Sequence, residues 1–110
     1  MPFDELAATM TEQELDTQEP TVVEWSGDGA LMVEVDWSGE RVRVQLEPEA
    51  TRSWTADVLA DRIVRLHRLA LMRARAEQRA RLNERGLAIE TTAGFPSHAD
   101  VDEYRATIDF

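Results

Sequence analysis

Across residues 22–46, apolar and polar side chains alternate with a period of two. Leu31, Val33, Val35 and Trp37 interleave with Met32, Glu34 and Asp36, and Val42, Val44 and Leu46 interleave with Arg41, Arg43 and Gln45. Successive side chains on a strand point to opposite faces, so this alternation predicts half-buried β-strands. A hairpin closed at Ser38-Gly39 sets Val35 against Val42, Val33 against Val44 and Leu31 against Leu46. The same register sets Asp36 against Arg41 and Glu34 against Arg43. One register thus yields an apolar face and a charge-complementary face, and a slip of one residue would scramble both. Ser26-Gly27-Asp28-Gly29 supplies turn residues ahead of the hairpin, which makes Val22–Trp25 the first strand of a three-stranded meander.

After Pro48 the period changes. Thr55 suits a helix N-cap, with Asp57 near the positive end of the helix dipole and Trp54 and Leu59 placed as a hydrophobic staple. Neither proline nor glycine follows until Gly86, so the pattern predicts one helix of about 31 residues, roughly 46 Å long. At 100° per residue, Leu59, Ile63, Leu66, Ala70 and Ala74 share a face flanked by Ala60, Val64 and Leu71, and this face is expected to cover the sheet. Glu77, Gln78 and Arg81 continue the same line, so the last three turns are expected to project past the sheet. On the opposite side Arg65, Arg68, Arg75 and Arg79 form a line beside a narrow apolar stripe of Leu69, Met72, Ala76 and Ala80, read as facing outward.

The fold class is therefore α+β, a three-stranded antiparallel meander packed on one long C-terminal helix. Residues 1–20 read as an acidic tail or short helix carrying Phe3, Leu6, Ala7 and Met10, and residues 21–86 as the β-β-β-α domain. Residues 87–110 read as an acidic tail in which Ser97 is placed to cap a short helix with Val101, Tyr104 and Ile108.

Charge changes the picture. The net charge of −10 conceals an asymmetry: residues 1–49 hold thirteen acids against Arg41 and Arg43, whereas residues 50–86 hold nine arginines against four acids. Such a chain is repelled by DNA and by anionic lipid, so either would have to be met by the basic middle segment. The absence of cysteine removes disulfides and thiolate metal sites, and His67 and His98 lack the spacing of a zinc site, so neither metal nor cofactor is expected. Ser97, His98 and Asp100 spell the letters of a hydrolase triad, but neighbours on one turn cannot converge as nucleophile, base and orienter. Gly27-Asp28-Gly29 lacks the third glycine of a dinucleotide loop and leads into a strand instead of a helix. No apolar run reaches bilayer length, and the N-terminus lacks the basic start and apolar stretch of a signal peptide. The expectation is a non-catalytic, cytoplasmic binding module with no membrane association and no small-molecule substrate.

Residues 29–36, Gly39, residues 42–48 and residues 59–63, with Ala70 and Ala74, resemble the YbaB/EbfC family. That resemblance implies a helix, a three-stranded sheet and a long helix, usually in a dimer, and many members are described as nucleoid-associated DNA binders. Within it, the acidic leader, Ala50-Thr51-Arg52-Ser53-Trp54, the alanine- and arginine-rich helix, Phe95-Pro96-Ser97 and Tyr104 are more similar to accessory proteins of actinobacterial type VII (ESX) secretion, of the EspD and EspH kind. The leading expectation is accordingly an adaptor or chaperone-like protein linked to type VII secretion. It would bind a protein partner through Leu69, Met72, Ala76 and Ala80 and form a homodimer. The alternative is a nucleoid-associated DNA-binding protein with Arg65, Arg68, Arg75 and Arg79 on phosphates; the arginine line favours it and the net charge opposes it.

Overall fold

The computed structural model describes residues 20–110. The tail or short helix expected around Phe3, Leu6 and Met10 lies outside these residues.

Three strands, β1 (Val22–Trp25), β2 (Leu31–Val35) and β3 (Val42–Leu46), form an antiparallel sheet in the order β1-β2-β3. The β2–β3 register pairs Leu31 with Leu46, Val33 with Val44, Glu34 with Arg43 and Val35 with Val42, which is the register that complementary chemistry required. Arg43 Nε lies 3.1 Å from Glu34 Oε1 on the polar face. Asp36 stands opposite Arg41 as expected, its N–H donating to Arg41 O at 3.3 Å, but its buried carboxylate is turned into the hairpin loop. Its Oδ1 accepts from Ser38 Oγ at 2.8 Å and from the Gly39 N–H at 3.0 Å. The first turn is built likewise: Ser26 Oγ donates to Asp28 Oδ1 at 2.7 Å and accepts from the Leu31 N–H at 3.0 Å. A short polar side chain at such positions supplies the hydrogen bonds that the reversing backbone cannot make with itself.

Pro48 starts a short helix, α1 (Pro48–Ser53), that the sequence reading had left out. Proline lacks an N–H and holds φ near the helical value, so it suits a first helical position as well as a strand end. The long helix α2 (Ala56–Glu84) follows, with Thr55 Oγ1 accepting from the Val58 N–H at 3.2 Å. At its other end the Leu87 N–H donates to Leu82 O at 3.2 Å and the Gly86 N–H to Asn83 O at 3.1 Å, with Gly86 at φ +97°. These two bonds satisfy carbonyls that the helix end would otherwise orphan, and the geometry requires a left-handed residue between them.

α2 packs across β1 and β2, so Leu31, Val33 and Val35 lie wholly buried with Leu66, Ala70 and Ala74. The expected covering face is thus partly corrected. Leu59 and Ile63 are half-buried, Ala60 is exposed, and Val64 is 65% exposed. The crossing also leaves β3 bare: Val42 and Val44 are on the apolar face yet remain 48% and 41% exposed.

Replacing Gly86 by alanine forces a Cβ into the left-handed region and should cost about 1 kcal/mol, or a melting temperature lower by roughly 4 °C. Thermal unfolding of Gly86→Ala against wild type measures this, and an unchanged midpoint would show that the helix stop contributes nothing.

Candidate nucleic-acid interface

The chain does not leave α2 at Gly86 but turns back along it. Ile89 is clipped first: its N–H donates to Asn83 Oδ1 at 2.8 Å, and its carbonyl accepts from Arg79 Nε at 2.9 Å. Phe95 then stacks on Trp37, with ring centroids 6.4 Å apart, and Pro96 is buried. Ser97 caps a final helix, α3 (His98–Arg105), through a capping box in which its Oγ accepts from the Asp100 N–H and Asp100 Oδ2 accepts from the Ser97 N–H. Val101 enters the core, and Tyr104, Ile108 and Phe110 pack against it. Phe110 ends between Arg62 and Arg65, each guanidinium carbon 5.2 Å from the ring centroid.

This return path decides where the arginine line stands. Arg65 donates to Thr107 O and lies 3.3 Å from Asp109 Oδ1. Arg68, exposed, sits over the Tyr104 ring at 5.4 Å. Arg75 Nε donates to Trp37 O at 3.0 Å, and Arg79 Nε to Ile89 O at 2.9 Å. All four therefore lie along one flank of α2, and all but Arg75 touch the returning segment, which also lies beside Arg75. Between that segment and α2 is a cleft of about 640 Å³, where Arg68 and Arg75 face Asp100, Glu103 and Tyr104 over a floor that includes Leu71 and Met72.

The apolar stripe beside the arginines does not face outward. Leu69 and Ala76 are buried in the same core as Val33 and Val101, Met72 is half-buried against that core, and Ala80 is half-buried. The physical reason is that the sheet and the returning segment cover two flanks of α2, so a second apolar stripe is satisfied within the chain.

Sequence reasoning also missed a buried ion-pair triad. Glu24 belongs to the inward face of β1, paired opposite Val33, and is only 6% exposed. Arg73 of α2 lies 2.9 Å from its Oε2, and Arg105 of α3 contacts both carboxylate oxygens. Arg73 also donates to Val23 O at 3.2 Å. Two signals were present: period-two alternation puts Glu24 in line with Val22, and Arg105 is the sole basic residue of an acidic segment. Burial pushes the Glu24 carboxyl up, but hydrogen bonds and charge from Arg105 and Arg73 outweigh it and hold it below its ordinary 4.5. Burial likewise opposes Asp36, where the bonds from Ser38, Arg41 and Gly39 win and hold the carboxyl below 3.8.

Among the described residues, no group of three or more histidine and carboxylate side chains is placed to hold a metal ion. No helix among them is long and apolar enough to cross a membrane. Residues 3–86 match the YbaB/EbfC DNA-binding family, and no curated protein matches the chain. This match overturns the leading expectation of a type VII secretion adaptor, which rested on likenesses in the leader, residues 50–54, the helix and the tail, on the apolar stripe and on the net charge, and favours the DNA-binding alternative.

Lowered carboxylate pKa values set the pH response. The folded state binds fewer protons than the unfolded chain at these groups, so their contribution is complete above the unfolded values and is lost as pH falls through the lower folded ones. The melting temperature of wild type should be level above about pH 5 and fall below about pH 4. Glu24→Gln should be less stable by about 2 kcal/mol at pH 7, short of the cost of breaking a wholly buried pair because both arginines are partly exposed. Its acid limb should be shallower than that of wild type; identical limbs would remove Glu24 from the account.

Proposed function

The chain belongs to the YbaB/EbfC DNA-binding family, and from that premise we propose that it is a non-catalytic, cytoplasmic, nucleoid-associated protein that binds duplex DNA through its phosphates, as a homodimer. The observation that carries the reading is the line of Arg65, Arg68, Arg75 and Arg79 along one flank of α2, inside the matched residues. At 1.5 Å rise per residue the line extends about 21 Å. A duplex offers a phosphate about every 3.4 Å on each strand, so several phosphates come within reach. Arg75 and Arg79 use Nε on neutral carbonyls, which leaves their full charge and the terminal N–H donors of each guanidinium. Recognition of this kind is electrostatic and indifferent to sequence.

Exposed Val42 and Val44 favour the dimer. They continue the apolar face of the sheet onto an edge strand that α2 does not cover, and a second copy brings an identical strand of the same chemistry. Two copies present two arginine lines, and linked contacts bind an extended polyanion more tightly than either alone.

Duplex binding should weaken with salt, with a log–log slope of roughly −3.6 if four arginines each displace a counterion. Arg68→Gln should reduce the magnitude of that slope by about 1 and lower affinity equally for unrelated sequences. No mobility shift at low ionic strength, or a slope of zero, would defeat the reading. For the dimer, light scattering should give twice the 12.5 kDa chain mass, and Val44→Glu should return the chain mass with the fold intact by circular dichroism. A monomeric wild type would defeat it.

A further inference from the structure

The family match ends at residue 86, and the 24 residues that follow lie against the arginines to which DNA binding has been assigned. We infer that the acidic side chains of residues 87–110 form an intramolecular cover over the phosphate-binding line of α2, which the phosphates of a DNA duplex must displace in order to bind. The inference rests on the DNA-binding reading above.

Three observations carry it. The path is antiparallel to α2 and retraces it: Ile89 meets Arg79 and Asn83, Tyr104 meets Arg68, and Thr107, Asp109 and Phe110 meet Arg65 and Arg62. The chemistry is that of a competitor, because the segment holds Glu90, Asp100, Asp102, Glu103 and Asp109 against a single Arg105. Asp109 pairs with Arg65, while Asp100 and Glu103 stand in one cleft with Arg68 and Arg75. Carboxylates there take the place that phosphate oxygens would take. The attachment is also graded along its length. Val101 and Pro96 are buried and Arg105 holds Glu24, whereas the cleft beneath Asp100, Glu103 and Tyr104 remains open, so the backbone is docked while the acidic side chains at the cleft have room to give way.

Asp100, Glu103 and Asp109 stand beside the arginine line, and this supplies the test. Charges farther than a Debye length, about 8 Å at physiological salt, are largely screened. In the full chain, Glu103→Gln with Asp109→Asn removes two charges from the cover, and Glu47→Gln with Glu49→Gln removes two from the N-terminus of α1; all four positions are exposed. A fluorescent 20-base-pair duplex is the probe. The cover variant should bind about five- to tenfold more tightly than wild type, and the α1 variant within about twofold of it. Equal affinities for the two variants would overturn the cover and leave DNA binding standing. If neither wild type nor the cover variant binds duplex at low salt, the DNA reading fails and the cover fails with it.

Discussion

A carboxylate withdrawn from water on β1 ties the molecule together. Glu24 stands where strand alternation would place an apolar residue, and an unpaired charge there would cost several kcal/mol. Its two partners come from different elements, Arg73 from the middle of the long helix and Arg105 from the last helix. Sheet, long helix and final helix therefore meet at one charge. Each arginine satisfies part of the carboxylate, so residues 87–110 belong to the same structural unit as the sheet. The apolar contacts agree, since Val101 shares a core with Val22, Leu31 and Leu66.

With its flanks covered, α2 handles its arginines in a particular way. Arg65, Arg73, Arg75 and Arg79 donate to the backbone carbonyls of Thr107, Val23, Trp37 and Ile89. A carbonyl orders a guanidinium without neutralising it, so at Arg75 and Arg79 these bonds fix the side chain while preserving the local positive field, whereas Arg65 and Arg73 are also paired with carboxylates. Lysine could not substitute, because the planar fork holds one edge on a carbonyl and directs the remaining donors elsewhere. The use of arginine at every basic position fits this architecture along the helix.

How much of this was legible follows from which constraints are local. The hairpin register was readable because two independent chemistries, valine against valine and glutamate against arginine, demanded the same pairing. The start of α2 was readable from Thr55 and its end from Gly86, since caps are decided within a few residues. The covering of α2 was not. A 100° step shows which residues share a line, but not how many lines are covered, and Leu69 and Ala76 looked outward until the chain was seen to fold back on them. Proline gave an ambiguous signal at residue 48, where it both ended a strand and began α1. The arginine line was found on the right helix, but its neighbours were 10 to 44 residues away in sequence, beyond any periodic pattern. Function was misjudged for a related reason: the stripe read as outward and the net charge pointed to a protein partner, but the stripe is covered within the chain and the family match spans residues 3–86.

The net charge of −10 opposes DNA as a global quantity, whereas contact with a phosphate is decided locally. At physiological salt a phosphate brought to α2 would sense charges within about 8 Å and be largely screened from the acids on the far side of the molecule. What matters at contact is the balance along the helix flank itself, where arginines outnumber acids within α2 and the nearest carboxylates belong to the returning segment. Distant acids still act on the approach, slowing encounter and discouraging loose association with any polyanion. An acidic body with a basic seam thus favours ligands that fit closely over those that approach only by attraction. The charge of the molecule and the chemistry of its family are compatible on this account, because each governs a different distance.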